Sequence, residues 1–596
     1  MNHINIYNPN IAAYTKSAID AIESGWISNH GKYIRLATER LKEIMKCKHA
    51  ILMANGTCAT HCLFIALKHA HPAITKIYVP NNAYVAAWNA VLMEYSECQL
   101  SVMRMDARTW NICTDEDYIA TLDLNAAVLI VHNVGNVVNV PRLKRLRPDL
   151  VFVEDNCEGF LGKYGDQGQD QGQDQGQDQG QDQGQDQGQD QGQDQGQDQD
   201  QTQYSYSGTS PATLCSSVSF YGNKIITTGE GGAFLTNDDV VYDHISRVYS
   251  QGMSAKRYVH EVHAYNYRMT NVQAAFLYDQ LCDLDAIIAQ KTRVFDTYVA
   301  LLNEHDLIRS GRVRLFEKEA GTQSTHWIFA LRIVGNPKTV DETAAFFDAA
   351  GIDVRPFFYP IHAHAHFSSC RSKISDADNA ISVLLNQEIV MVPSSPDMTL
   401  DEQWRVIETV HKFVMQLNGV YVRTIQDQDH HNTMTIPMLH QIVNIIKHDT
   451  DNLSFRYFNN RTIETALQTH AITNVYYVAD CTNDANDAND ANDTINDFIG
   501  YAHIDFDAPG NRHWFGIYIC KSHRGKKYGA LVLNDIIHQF CIQTKYQHDV
   551  YLSVDRTNMH ALHLYEMTKF EIVETHDTYY VMRRKCNANA MQPGMV

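Results

Sequence analysis

Residues 217–238 read SVSFYGNKIITTGEGGAFLTND. A short apolar run, SVSF, gives way to a turn that carries one lysine, Lys224. A glycine-rich bend, TGEGG, then leads into a second apolar run, AFLT. The pattern is strand, turn, strand, because β-branched and aromatic residues cluster between glycine breaks. A single lysine after a strand is ordinarily a surface charge, so its meaning depends on its surroundings.

Two neighbouring segments supply them. Residues 150–156, LVFVEDN, form a buried-type strand with Asp155 near its end. Open α/β sheets bind ligands beyond the carboxyl ends of parallel strands. Taken alone, Asp155 could equally be a helix cap or loop carboxylate. Residues 51–67, ILMANGTCATHCLFIAL, join a strand to a helix through Asn55, Gly56 and Thr57. The free N–H groups at such a helix start attract anions, although many strand–helix turns look the same.

The wider pattern repeats this unit. Apolar strands alternate with helical segments: HAILMANG then TCATHCLFIALKHA, KIYVP then AYVAAWNAVLMEY, and AAVLIVHN. Such alternation predicts an α/β fold with a largely parallel sheet. From about residue 300 a smaller α+β region follows. It closes with a helix over LDEQWRVIETVHKFVMQL, capped by Thr399 or Asp401. A second domain starts near Gly419, with strands VYYVAD, FIGYAHID, HWFGIYIC, YLSVD, FEIVE and YYVMRR. It also has a helical stretch to about 470, a helix over about 528–541 and another after YLSVD. The expected organisation is 1–417, then 418–586, then a tail 587–596.

Residues 166–197 are eight copies of DQGQ, followed by DQDQ. Nothing in the tract can be buried, so an insertion over 165–203 is expected to remain disordered. It interrupts one domain, since both flanks read as parts of the same fold, and long surface insertions cost little. A shorter repeat, NDANDANDAND at 483–493, marks another solvent loop. The 596 residues carry a net charge of −20, and ten of the acids lie in the DQGQ/DQDQ tract. That balance argues against nucleic acid as a partner. There is no long apolar run for a membrane span and no signal-peptide pattern at the start. The 13 cysteines have no paired C-x-x-C spacing, which suits free thiols in a reducing, cytoplasmic setting.

Moving an amino group onto a carbonyl with pyridoxal phosphate needs a lysine, a carboxylate at the pyridine nitrogen and a site for a phosphate dianion. Lys224, Asp155 and the 55–57 turn are candidates for the three. Six strings, in order, carry a resemblance: SGWISNHGKYI, ANGTCATHCLFIAL, VPNNAYVAAWNAV, VEDNCEGFLGKY, SFYGNKIITTGEGGAFLTND and YNYRMTNVQAAFLYDQL. Together they resemble the DegT/DnrJ/StrS sugar aminotransferases, which have the fold-type I architecture of pyridoxal-phosphate enzymes. The resemblance implies that Lys224 holds the cofactor as a Schiff base and that Asp155 pairs with its pyridine nitrogen. It puts Glu158 near the ring hydroxyl, Tyr84 on the ring face, and Gly56, Thr57 and Ser219 at the phosphate. Asn266 would reach the phosphate of a neighbouring subunit, which implies a homodimer with shared sites. Tyr84 and Ser219 could instead be plain core residues. Gln251 stands where many members have histidine. Members that replace the lysine with histidine perform dehydration, so Lys224 favours transamination. A non-catalytic sensor or scaffold remains the reading from another class. The implied reaction takes the amino group of glutamate and passes it to a nucleotide-linked 4-keto-6-deoxyhexose, UDP- or dTDP-linked and possibly carrying a 2-acetamido group. Lys224 would shuttle the proton between the donor's α-carbon and the cofactor C4′.

The second domain has its own constellation. HWFGIYICKSHRGKKYGALVLNDII reads strand, turn, helix, and the turn holds Arg524, Gly525, Lys527 and Gly529. Amides and glycines opening a helix suit a pyrophosphate, although a generic basic turn looks similar. YLSVDRTNMHALHLYEMTKFEIV places Asn558 and Tyr565 on the next helix. Together these resemble the GNAT N-acetyltransferases. The resemblance implies a loop cradling coenzyme A, with Lys527 in place of its usual first glycine. It implies a strand ending at Cys520 beside the pantetheine arm, Asn558 at the cofactor, and Tyr565 as the acid that protonates the departing thiolate. Tyr565 as a core tyrosine is the competitor. One chain with both activities would make an amine and then acetylate it with acetyl-CoA, unless the second domain serves an unrelated amine.

Two weaker patterns complete the reading. His362, His364 and His366 would share one face of a strand, as a metal set could. Cys58, His61 and Cys62 have a ligand-like spacing but are expected to pack on the sheet as core.

Overall fold

The computed structural model describes residues 3–165 and 204–417 apart from 255, 257 and 306; beyond these it describes 420–424, 470–478, 498–507, 512–519, scattered positions within 529–540, and 548–585. The DQGQ tract, the 483–493 repeat, Cys520, Arg524, Gly525, Lys527 and the tail 587–596 lie outside the described residues. The chain divides into two compact units. One is Met1–Phe295 with Val313–Glu402; the other is Asp296–Arg312 with Gln403–Val596.

The first unit is built on a seven-stranded sheet. Its strands are β1 (His49–Met53), β2 (Ile77–Pro80), β3 (Leu100–Met103), β4 (Ala127–Val131), β5 (Val151–Asp155), β6 (Thr213–Ser219) and β7 (Gly232–Thr236). Their spatial order is β1-β7-β6-β5-β4-β2-β3. The run from β6 to β3 is parallel, and β7 lies antiparallel to both its neighbours. The glycine-rich bend after Lys224 therefore makes a local reversal inside a largely parallel sheet. Strand β4, AVLIV, is buried throughout. Successive residues point to opposite faces: Val128 and Ile130 join one apolar cluster, while Leu129 and Val131 join another. Both faces are covered, which is why the strands read as continuous apolar runs instead of alternating ones.

The helices that matter for the site follow their strands directly. Helix α1 (Gly56–Ala70) follows β1, and α2 (Val85–Glu94) follows β2. Asn55 caps α1 by accepting from the Cys58 N–H at 2.9 Å. A smaller antiparallel sheet contains β8 (Val313–Arg314), β9 (Phe329–Ile333), β10 (Arg355–Pro356) and β11 (Ile389–Val392), in the order β8-β9-β11-β10. The helix Leu400–Leu417 opens with a reciprocal cap. The Thr399 N–H donates to Glu402 at 2.9 Å and the Glu402 N–H donates to Thr399 Oγ1 at 3.2 Å. Thr399, and not Asp401, is therefore the cap. Lys163–Tyr164 pairs antiparallel with Ser205–Tyr206, so the residues on either side of the repeat tract meet at the same end of one two-stranded pair.

The histidine pattern is a correction. Ile361–Ala363 and Ala365–Lys373 form 3₁₀ helices, not a strand. Pro356 and Pro360 precede them, and proline donates no hydrogen bond to a ladder. His364 meets the Trp88 ring edge-on at 5.4 Å, and His366 Nε2 bonds Asn89 Oδ1 at 2.8 Å. Among the described residues, no group of three or more His, Cys, Asp or Glu could hold a metal ion. Cys62 and His61 are buried, and the His61 ring bonds Tyr267 at 3.0 Å and Glu94 at 3.2 Å.

The second unit carries another seven-stranded sheet. Its strands are β12 (Val420–Thr424), β13 (His470–Val478), β14 (Phe498–Asp507), β15 (Arg512–Ile519), β16 (Val550–Asp555), β17 (Glu571–Thr575) and β18 (Tyr579–Arg584). Their order is β12-β13-β14-β15-β16-β18-β17. Every pair is antiparallel except β15 and β16. One face packs Ala502, Ile504, Phe515, Leu552 and Val554 against Val532, Leu533, Ile536, Ile537 and Phe540. Among the described residues, no helix is long and apolar enough to cross a membrane.

Candidate active sites

Asp155 ends β5, opposite Val131 on one side and Ser217 on the other. It is buried, and its Oδ1 accepts from the Cys157 N–H at 3.1 Å and from Ser217 Oγ at 3.4 Å. Two residues further along β6, Ser219 faces the start of α1. A Cβ added at Gly56 would lie 2.8 Å from Ser219 Cβ and 3.2 Å from Cys157 Sγ. Only glycine lets the helix start come this close. A Cβ at Gly232 would stand 2.5 Å from the Asn55 carbonyl, so the double glycine of the bend lets β7 pass beside the same turn. The first N–H groups of a helix have no partner within it. Here they open beside a serine hydroxyl, with Thr57 exposed in the first turn. That cradle can receive a phosphate dianion.

Glu158 lies in the loop after β5. Its Oε2 accepts from the Val134 N–H at 2.8 Å. Val134 has φ of 51°, a left-handed conformation that a β-branched residue rarely adopts. The hydrogen bond to Glu158 accompanies that strained backbone. Burial pushes the Glu158 carboxyl up to about 7; the Lys224 charge pulls it down and the Asp155 charge adds to the rise. A carboxyl near 7 can hold or release a proton at neutral pH.

Lys224 sits in the turn after β6, its N–H donating to the Tyr221 carbonyl at 2.9 Å. Its ammonium lies 3.9 Å from the centre of the Trp327 ring. The Trp327 indole in turn donates to the Asn223 carbonyl at 2.9 Å. Below it, the buried Lys291 donates to the Trp327 carbonyl at 2.7 Å. The structure thus brings Asp155, Glu158, Ser219 and Gly56 together at the ends of β5 and β6, with Lys224 in the turn that follows β6. Tyr84 is 61% exposed at the start of α2, and its ring meets Phe358 edge-on at 6.3 Å. Asn266 accepts from Arg268 Nε at 2.8 Å, and the adjacent Tyr267 carbonyl accepts from the Ala54 N–H beyond β1. Ser217, Cys157 and Trp327 were not singled out from the sequence. Ser217 had a readable signal, since S-x-S on a strand puts Ser217 and Ser219 on one face. Trp327 had none, because more than a hundred residues separate it from Lys224.

The second unit offers a different kind of site. Strands β15 and β16 are parallel, but they pair only at His513–Val550 and Trp514–Tyr551. Beyond that point no ladder pairing joins Phe515–Ile519 to Leu552–Asp555, which leaves an unpaired wedge between the two strands. The strand edges facing the wedge offer backbone donors and acceptors to an extended chain such as pantetheine. Helix α3 (Met559–Met567) follows β16, capped by Asn558, whose side chain accepts from the Ala561 N–H at 3.1 Å. Tyr565 is on this helix and buried, and burial pushes its hydroxyl well above the usual phenol range. It is therefore a protonated phenol at neutral pH. Gly529 packs against the same helix: a Cβ there would stand 3.2 Å from Leu564 Cδ2.

Comparison with known proteins agrees with both geometries. Residues 10–411 match the DegT/DnrJ/EryC1/StrS aminotransferase family, and residues 459–570 match the acetyltransferase (GNAT) family. The chain is 26% identical to the GDP-perosamine synthase of Escherichia coli O157:H7 over 417 residues, covering 69% of this chain and 99% of the relative. It is 29% identical to the GDP-perosamine synthase of Vibrio cholerae, covering 60% of this chain and 86% of the relative. A putative sugar aminotransferase from Streptococcus pneumoniae, Spr1654 in its PLP form, superposes with a TM-score of 0.55 at 16% identity, over 70% of this chain and 99% of that one. The donor set fits the cofactor of such enzymes: a helix-start cradle only glycine permits, a buried carboxylate at a strand end and a lysine in the following turn. With its lysine and carboxylate beside one sheet and its wedge at the other, the chain belongs to the DegT/DnrJ/EryC1/StrS aminotransferase family, whose members work with pyridoxal phosphate, and carries after it an acetyl-CoA-dependent acetyltransferase of the GNAT family.

Proposed function

We propose that the first unit aminates the ketone of a nucleotide-linked 4-keto-6-deoxyhexose with glutamate as donor, and that the second acetylates the new amine. The observation that carries this reading is the cluster of Asp155, Glu158, Ser219 and Gly56 beside the Lys224 turn, in a chain that also holds the β15–β16 wedge. The relatives named GDP-perosamine synthase shift the favoured nucleotide from UDP or dTDP to GDP.

When bound, pyridoxal phosphate supplies an electron sink for the donor's α-carbon. Asp155 holds the pyridine nitrogen protonated, its own carboxylate oriented by the Cys157 N–H and Ser217. Gly56, Thr57 and Ser219 anchor the phosphate. Glu158 bonds the ring hydroxyl and Tyr84 covers the ring face. Lys224 would hold the cofactor and, as a free amine, would move a proton between the donor's α-carbon and C4′. Asn266 extends to the phosphate of a second copy of the chain in a homodimer. In the second unit, Arg524, Gly525, Lys527 and Gly529 cradle the coenzyme A pyrophosphate and Asn558 adjoins the cofactor. Tyr565 returns a proton to the departing thiolate. The setting is cytoplasmic.

The test is mass spectrometry of the full chain with pyridoxal phosphate, glutamate, acetyl-CoA and a panel of GDP-, UDP- and dTDP-linked 4-keto-6-deoxy sugars. The expected product carries an amine in place of the ketone and gains one acetyl group. Amination without acetyl gain would reject the coupling of the two units. A protein whose bound cofactor is left unchanged by glutamate would reject the enzyme reading itself.

A further inference from the structure

Acetyl transfer to a neutral amine requires something to take the proton that nitrogen loses as the amide forms. No carboxylate stands on β15, whose sequence is RHWFGIYI. Its histidine, His513, faces the apolar side, 4.7 Å from Phe540 and 4.8 Å from His548, ring to ring. The base must therefore come from another element.

Strand β14 supplies a candidate. Its residues alternate: Ala502 and Ile504 enter the apolar core, so Tyr501, His503 and Asp505 line the opposite face. The apolar face is filled by Val532, Leu533, Ile536, Ile537 and Phe540, and a polar sugar amine has no route through it. That leaves the face of His503, where Tyr501, His503 and Asp505 are themselves buried. The register puts His503 directly opposite Gly516 of β15. Gly516 lies two residues beyond Trp514, where pairing with β16 stops. It is therefore on the strand that borders the wedge, inside its open part. A Cβ at Gly516 would lie 2.3 Å from His503 Cε1 and 2.7 Å from Nε2. The imidazole thus lies across β15 in the space a side chain would occupy. A glycine on the wedge strand lets a histidine on the next strand reach over it.

The geometry points to His503 as the general base of acetyl transfer, a role that rests on the acetylation reading above. The amine nitrogen forms a bond to the acetyl carbonyl carbon. The carbon–sulfur bond breaks with its electron pair on sulfur. The imidazole of His503 takes the proton leaving nitrogen, and Tyr565 protonates the thiolate. One amide and one free thiol result, and solvent restores the proton from histidine to tyrosine.

The test uses the full chain with His503→Gln, and His503→Asn as a second variant. Release of coenzyme A thiol is followed with the 4-amino sugar nucleotide as acceptor, and acetyl-CoA affinity is measured by calorimetry. The expected result is a fall in kcat of about 10²–10³-fold, with acetyl-CoA affinity changed by less than about twofold and with amination by the first unit unchanged. Wild-type kcat in either variant overturns the assignment. So does a loss of acetyl-CoA affinity that tracks the loss of rate, since that marks a packing role. If the wild type acetylates no 4-amino sugar, the proposed pathway fails instead. The variants are then compared on whichever small amine the wild type accepts, and a wild type that acetylates no amine overturns the assignment as well.

Discussion

The two sheets present their chemistry in opposite ways. In the first unit β5 pairs with β6 as far as Asp155 and Ser217, and Ser219 at the end of β6 pairs with Gly232 of β7, so Asp155 and Ser219 project from a paired ladder. Ligand-binding capacity comes from side chains, the start of α1 and the turn beyond the strands. In the second unit β15 and β16 stop pairing after two residues, and the unpaired edges leave backbone donors and acceptors that can meet an extended chain. A fully paired sheet gives fixed positions for several different side chains, as a multi-step proton transfer needs. A split sheet gives an extended slot for a long, flexible cofactor arm and needs few side chains. Both depend on a glycine at the closest approach, Gly56 in one and Gly516 in the other.

That contrast can be broken by disabling one site at a time. The largest effect is expected for Lys224→Ala: amination falls by about 10⁴-fold, while acetylation of a supplied amino sugar continues. Its mirror is Tyr565→Phe, which lowers acetyl transfer by about 10²-fold and leaves glutamate bleaching of the cofactor colour intact. Parallel loss of both activities in either variant would show that the sites are not separable.

Next comes Gly56→Ala. The added Cβ lies 2.8 Å from Ser219 Cβ, so pyridoxal phosphate affinity should drop by about tenfold or more, equivalent to about 1.4 kcal/mol. Spectroscopic titration of the cofactor measures it, and acetyl-CoA affinity serves as the control.

Glu158→Gln tests the electrostatics. Burial raises the folded carboxyl from 4.5 to about 7. The folded form therefore binds more protons than the unfolded form between these values. Its contribution to stability is full below pH 4.5 and lost as pH rises to 7, an effect of up to about 3 kcal/mol. Thermal melts of cofactor-free protein should show wild-type stability declining across that window relative to Glu158→Gln. Equal pH slopes would remove Glu158 from the account. The smallest effect belongs to Asn558→Ala. Loss of the cap on α3 should cost about 1 kcal/mol, read from the melt of the second unit.

Much of this was readable along the chain, for a physical reason. The strand-turn-helix at 51–67 and the strand ending at Asp155 are local patterns, and each carries its own hydrophobic period and breaker residues. The cap at Thr399 was legible as one of two choices, and the Thr399–Glu402 spacing of a capping box decides it. The histidines at 362–366 were misread because alternate spacing imitates a strand. Two nearby prolines and contacts with Trp88 and Asn89 made 3₁₀ turns instead. Trp327 beside Lys224 could not be foreseen, since a contact over such a separation leaves no local trace.

By itself the sequence determined that a lysine follows a buried strand, that a carboxylate ends the neighbouring one, and that a helix opens on Asn-Gly-Thr. Those are properties of short segments, fixed by propensity and burial. Only the tertiary structure decided that β7 reverses within the sheet, that Gly56 touches Ser219, and that β15 and β16 part after Trp514. Each of these depends on which strands become neighbours. That choice is made by packing across both faces of a sheet, and no single stretch of chain contains it.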